Sequence, residues 1–141
     1  MADVNSMMAA YADEAVDYAK QLNLKLDFSE HSIRQIEDIC ALLHNKIPKG
    51  FLEKLTKKSP PEEVIVRISK MLGGYIGQVL INHYSGNWAM ENNIMSQDKT
   101  VVLNIDGMKT FPVAKVYKRL KNGPEDNVYH YYIAITKELK K

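Results

Sequence analysis

The stretch from Ser59 to Gly86 most constrains what this chain can fold into. Ser59-Pro60-Pro61-Glu62 is a strong helix-start signal. Serine accepts an otherwise unpaired amide, the glutamate three residues on reaches back, and proline suits a first turn whose N–H has no helical partner. Beyond it, Val64, Ile65, Ile68, Met71, Leu72, Tyr75, Ile76, Val79 and Leu80 cover so much of the helical circumference that this helix must be central and buried. Gly86 is expected to end it in the left-handed conformation that glycine adopts without penalty.

Three glycines, Gly73, Gly74 and Gly77, fall inside that helix. Each costs about 0.5–1 kcal/mol relative to alanine there, so a physical reason must hold it. A dinucleotide-binding turn would need its glycines between a strand and a helix, which this context denies. Ser69, Gly73 and Gly77 are instead four residues apart and predict a flat strip against which another helix or the sheet can come close.

On the N-terminal side, Met8, Tyr11, Ala12, Ala15, Tyr18, Ala19 and Leu22 form the stripe of an amphipathic helix ending near Asn23. Ser29 then predicts the cap of a second helix, with Phe28 stapled onto Ile33 and a buried face of Ile33, Ile36, Ile39, Cys40 and Leu43. Pro48 and Gly50 are expected to end it, and Phe51, Leu52 and Leu55 suit one short turn.

After Gly86 the period changes to that of strands. Val101, Leu103 and Ile105 alternate with Val102 and Asn104, Asp106-Gly107 is a preferred two-residue hairpin turn, and residues 108–111 supply the return strand. Trp88 and Met90 suit a third strand, because a lone hairpin is marginal in water. Val113, Val116, Tyr117 and Leu120 then outline a short helix that Asn122-Gly123-Pro124 stops. Residues 128–136 fit either a strand by propensity or a helix by spacing. The acids Glu125 and Asp126 before them and Lys137, Lys140 and Lys141 after them favour the helix. The expected architecture is therefore α+β, one domain over residues 1–141: a helical layer around a long central helix (residues 60–84), packed on a small antiparallel sheet containing the hairpin at 101–111.

Composition excludes more than it identifies. With Lys and Arg at 19, Asp and Glu at 17, and a formal net charge of +2, the chain lacks the strongly basic balance of a dedicated nucleic-acid binder. Residues 1–50 carry 5 Lys and Arg against 8 Asp and Glu, and the remainder 14 against 9, an asymmetry that suits a partner with an acidic surface. One cysteine, Cys40, allows no intrachain disulfide, and the N-terminus opens with an acid where an export signal needs basic residues. The chain reads as cytoplasmic. Residues 71–88 contain four glycines, His83, Asn82 and Gln78, so no membrane span is expected.

Side chains that could carry chemistry are few. His31, His44, His83 and His130 show neither HExxH spacing nor pairing with cysteine, and there is no G-x-S-x-G elbow or P-loop, so no catalytic residue, metal or cofactor is assigned. Cys40, set in an apolar stripe, reads as an inert buried thiol. Two groups remain as candidate binding residues. Asn82, His83, Tyr84, Asn87 and Trp88 fall where the central helix gives way to the sheet, although Trp88 also suits the core and His83 a helix end. Lys115, Lys118 and Arg119 share one side of a helix and suit a phosphate or an acidic partner, while Tyr117 lies on the apolar stripe and offers no stacking platform beside them.

Two blocks, Leu72-Gly-Gly-Tyr-Ile-Gly-Gln-Val-Leu80 followed by Gly86-Asn-Trp88, and Phe111-Pro-Val-Ala-Lys-Val-Tyr-Lys-Arg-Leu-Lys-Asn-Gly123 with Glu125-Asp126, resemble an uncharacterised family of small bacterial proteins classed as a domain of unknown function. The resemblance spans residues 28–132. It implies a compact α+β protein of bacterial type and supplies no reaction, ligand or catalytic residue. The functional expectation is a non-enzymatic protein-interaction module, toxin-neutralising (immunity-like) or regulatory. The alternative is a small-molecule binder or an enzyme with its site at the helix-sheet junction. Nucleic-acid binding ranks third.

Overall fold

The computed structural model describes residues 3–47, 60–92 and 99–141. Helix α1 (Val4–Gln21) is followed by α2 (Ile33–His44), the long α3 (Glu62–His83), strands β1 (Gly86–Asn92), β2 (Lys99–Ile105) and β3 (Met108–Thr110), then α4 (Pro112–Asn122) and α5 (Val128–Leu139). The strands form one antiparallel sheet in the order β1-β2-β3. This is an α+β fold in which the helical layer surrounds α3 and the small sheet packs on its C-terminal half.

The glycines of α3 are where its neighbours arrive. A Cβ on Gly73 would lie 2.6 Å from the Cα of Val113 in α4, and one on Gly74 would lie 3.1 Å from the Met8 carbonyl oxygen in α1. A Cβ on Gly77 would fall inside the indole ring of Trp88 from β1. The expected flat strip is therefore real, and it is wider than the four-residue spacing predicts because Gly74 serves a third neighbour. By length and composition α3 could cross a membrane, with a mean hydropathy of 1.4, yet 61% of its most apolar window is buried inside the fold. Its apolar surface is spent on α1, α4 and Trp88.

Local signals explain most boundaries. Helix α1 begins earlier than its stripe suggests, because the Asp3 carboxylate accepts from the Ser6 amide at 2.8 Å. It ends as expected, with Asn23 left-handed at φ 62°. There the Leu24 amide donates to the Ala19 carbonyl and the Asn23 amide to that of Lys20, the paired closure of a Schellman motif. The Asn127 side chain caps α5 by accepting from the His130 amide at 2.9 Å, so the ambiguous C-terminal segment is helical.

Four expectations change. Gly86 does not end α3 in a left-handed turn. The chain turns extended at Tyr84 (φ −139°, ψ 169°), and Gly86 opens β1, where a Cβ would approach the Asn104 carbonyl oxygen to 2.8 Å. Ser29 caps a single 3-10 turn, residues 30–32, that leads into α2. Phe28, itself left-handed at φ 62°, sets its ring 4.8 Å from that of Tyr75. Finally, β3 stops at Thr110, because Phe111 already gives its carbonyl to the Lys115 amide and Pro112 starts α4. The Ser59 cap, the stop at Pro48 and Gly50 and the turn at Phe51, Leu52 and Leu55 lie outside the described residues.

In an open helix interior, glycine to alanine stabilises by about 0.5–1 kcal/mol. Here Gly73→Ala should instead destabilise by about 1–3 kcal/mol, since backbone of α4 has to move to admit the methyl. Gly74→Ala, meeting looser contacts, should cost less. Urea unfolding of the two variants tests the order; a stabilised Gly73→Ala would refute the close-approach account.

Candidate functional site

At the C-terminal end of α3 the helix, the loop before α2 and the start of β1 meet. Tyr75 is fully buried there, and its hydroxyl oxygen accepts from the Phe28 amide at 2.7 Å. The Ser32 hydroxyl donates to the Ser29 carbonyl, which leaves Tyr75 to donate to the Ser32 oxygen at 2.6 Å. Beside this cluster the Glu30 carboxylate accepts from Tyr132 at 2.6 Å and from Tyr84 at 3.3 Å. Burial, reinforced by Glu30, pushes both phenols above their usual range. They stay protonated and act as donors, so the junction ties the loop before α2 to α3 and α5.

The five candidate residues at this junction do not converge. Asn82 is exposed and accepts from Gln78 at 3.1 Å, and Asn87 is an exposed strand residue. His83 is exposed, with its Nε2 3.3 Å from the Phe28 carbonyl oxygen. Tyr84 is engaged by Glu30. Trp88 is buried against Gly77, and its amide donates to the Asn5 side chain at 2.8 Å. None of the grooves described below is lined by any of these five.

The basic side of α4 divides as well. Arg119 is an interior residue: its side chain is 3% exposed, Nε donates to both Glu37 oxygens at 3.1 and 2.9 Å, and Nη2 lies 2.8 Å from one of them. Glu37 also accepts from the Val128 amide at 3.0 Å, which joins α2, α4 and α5. Lys115 pairs with Asp126 at 3.1 Å. Only Lys118 keeps an uncommitted charge, since Asp126, whose field reaches it, is already held by Lys115 and Asn122.

Lys118 belongs to a different grouping. A groove of about 490 Å³ opens between α3, β2 and α4. Val66, Val101, Val113 and Ala114 give it an apolar lining, and Lys70, Lys99 and Lys118 approach it from the three elements in turn. Among the described residues none of these lysines makes an ion pair. Tyr117 closes one end by donating to Glu62, and Glu62 is in turn neutralised by Lys121 at 2.9 Å. Among the described residues the groove thus sets three lysines without ion-pair partners around apolar surface. A larger depression of about 710 Å³ flanks the other side of α3, but its Glu62, Glu63 and Arg67 carry mixed charge, and Arg67 is paired with Glu14.

Among the described residues no three His, Cys, Asp or Glu side chains are grouped so as to hold a metal ion. Burial, with Glu37 nearby, pushes the Cys40 thiol up to about 12. Comparison with protein-family models, with curated proteins and with solved structures finds no match to this chain.

Two predictions follow from the buried groups. Arg119→Ala should lower stability by about 3–5 kcal/mol, because it strands the Glu37 carboxylate, and the Arg119→Ala/Glu37→Ala double variant should lose less than the sum of the single losses. Additive losses in chemical denaturation would show that the pair is not coupled. Cys40 should be inert to a disulfide reagent at pH 8 in the native protein and react once per chain after unfolding; rapid native reaction would contradict its burial.

Proposed function

We propose that the protein is a non-enzymatic interaction module, toxin-neutralising or regulatory in kind, that captures a partner with an acidic surface through the groove between α3, β2 and α4. The observation that carries this reading is the convergence of Lys70, Lys99 and Lys118, unpaired among the described residues, around apolar lining. Opposite charge accelerates encounter, and apolar contact supplies the affinity that exposed ion pairs lack. A small amphipathic anion is the second reading. It is favoured by the groove's volume, which falls within the range of small-molecule sites.

Affinity purification from the native host, using the wild type, a Lys70→Glu/Lys99→Glu/Lys118→Glu variant and a Lys20→Glu/Lys137→Glu control, tests the first reading. The wild type and the control should retain the same protein partner, with salt-sensitive binding, and the groove variant should lose it. Equal retention by all three, or none by the wild type, overturns the proposal.

A further inference from the structure

The groove is bounded on one side by the edge of a strand that has run out of partners. Strand β2 pairs with β1 over its whole length, but with β3 only at Leu103, Asn104 and Ile105. Continuing that register would set Phe111 opposite Val102 and Pro112 opposite Val101. Pro112 has no N–H to offer, and Phe111 has already turned into α4.

The direction of the unused groups follows from the neighbouring pairs. The Trp88 amide points away from β2, to Asn5 on α1, so Trp88 and Leu103 form a pair that exchanges no hydrogen bonds. Leu103 therefore directs its N–H and C=O towards β3. So do Val101 and Lys99, each two residues further back, where β3 no longer reaches. The donors and acceptors of Lys99 and Val101 thus face the groove side unpaired among the described residues.

From this geometry we infer that the groove takes an extended, acidic segment of the partner, which adds to β2 as a strand in the line that β3 vacates. The inference rests on the interaction reading above and specifies its form. Backbone pairing at Lys99 and Val101 supplies the register. Alternate side chains of the added segment meet the apolar lining, and its carboxylates meet Lys70, Lys99 and Lys118. A second copy of this chain is the poorer occupant, because edge-to-edge pairing would bring together two grooves that each carry Lys70, Lys99 and Lys118.

The test uses the full chain and a blocked pentapeptide alternating glutamate and valine. Three companions serve as controls: the same peptide N-methylated on its pairing edge, its lysine-for-glutamate counterpart, and octanoate as a small anion. The acidic peptide should bind one to one, and amide exchange at Lys99 and Val101 should slow. N-methylation should weaken binding by about tenfold, the equivalent of two lost backbone hydrogen bonds. The lysine peptide should not bind, and Lys70→Glu/Lys118→Glu, its fold checked by thermal melting, should also lose the acidic one.

Equal binding of the N-methylated peptide would overturn the added strand while leaving charge-driven capture intact. Retention of the native partner by the triple groove variant would instead overturn the interaction reading itself. Binding of octanoate at these amides without the peptide, or sedimentation of the free protein as a dimer with Lys99 and Val101 already protected, would also overturn the strand inference.

Discussion

Helix α3 is approached by α1, α4 and Trp88 within little more than one turn, and its backbone can be met so closely only because Gly73, Gly74 and Gly77 present no side chain there. Each glycine weakens the helix locally, and the contacts it admits have to offset that cost. The outcome fixes distances elsewhere. Val113 resting on Gly73 sets where α4 begins, and the indole on Gly77 sets the height of the sheet above the helix. The groove is lined by Val66, Ser69 and Lys70 of α3, just before Gly73, and by Val113 itself, so the close approach at Gly73 helps set its width.

A second constraint acts through polar groups in the interior. Glu37 and Arg119 join α2 to α4 and, through the Val128 amide, to α5, while Glu30 joins the loop before α2 to Tyr84 and Tyr132. Buried pairs of this kind add little net stability compared with apolar replacements, but they penalise any packing that separates the partners. They therefore help select one arrangement of the helices around α3.

Patterns that act over one or two turns were legible in the sequence. The apolar circumference of α3, the Asp106-Gly107 hairpin, the stop at Asn122-Gly123-Pro124 and the charge order flanking residues 128–136 all specified what formed. What escaped depended on partners distant in the chain. Arg119 reads as part of a basic face with Lys115 and Lys118, yet it lies three residues after Val116 and beside Leu120, close enough to the apolar stripe for its long stem to turn inward to Glu37. That position on the helix was the available signal. Lys70 and Lys99 carried none, being single charges in a helix and at a strand start that meet only when β2 is laid beside α3. The residues grouped as Asn82, His83, Tyr84, Asn87 and Trp88 were adjacent in sequence, but the switch from helical to strand period sends successive side chains in different directions.

Cys40 is the chain's one cysteine and is sealed in the interior. Its seclusion leaves the outer surface without a competing thiol. A cysteine engineered at the groove mouth could take a fluorophore or spin probe selectively, with the native residue left in place, and distances across the groove could then be followed as a partner arrives.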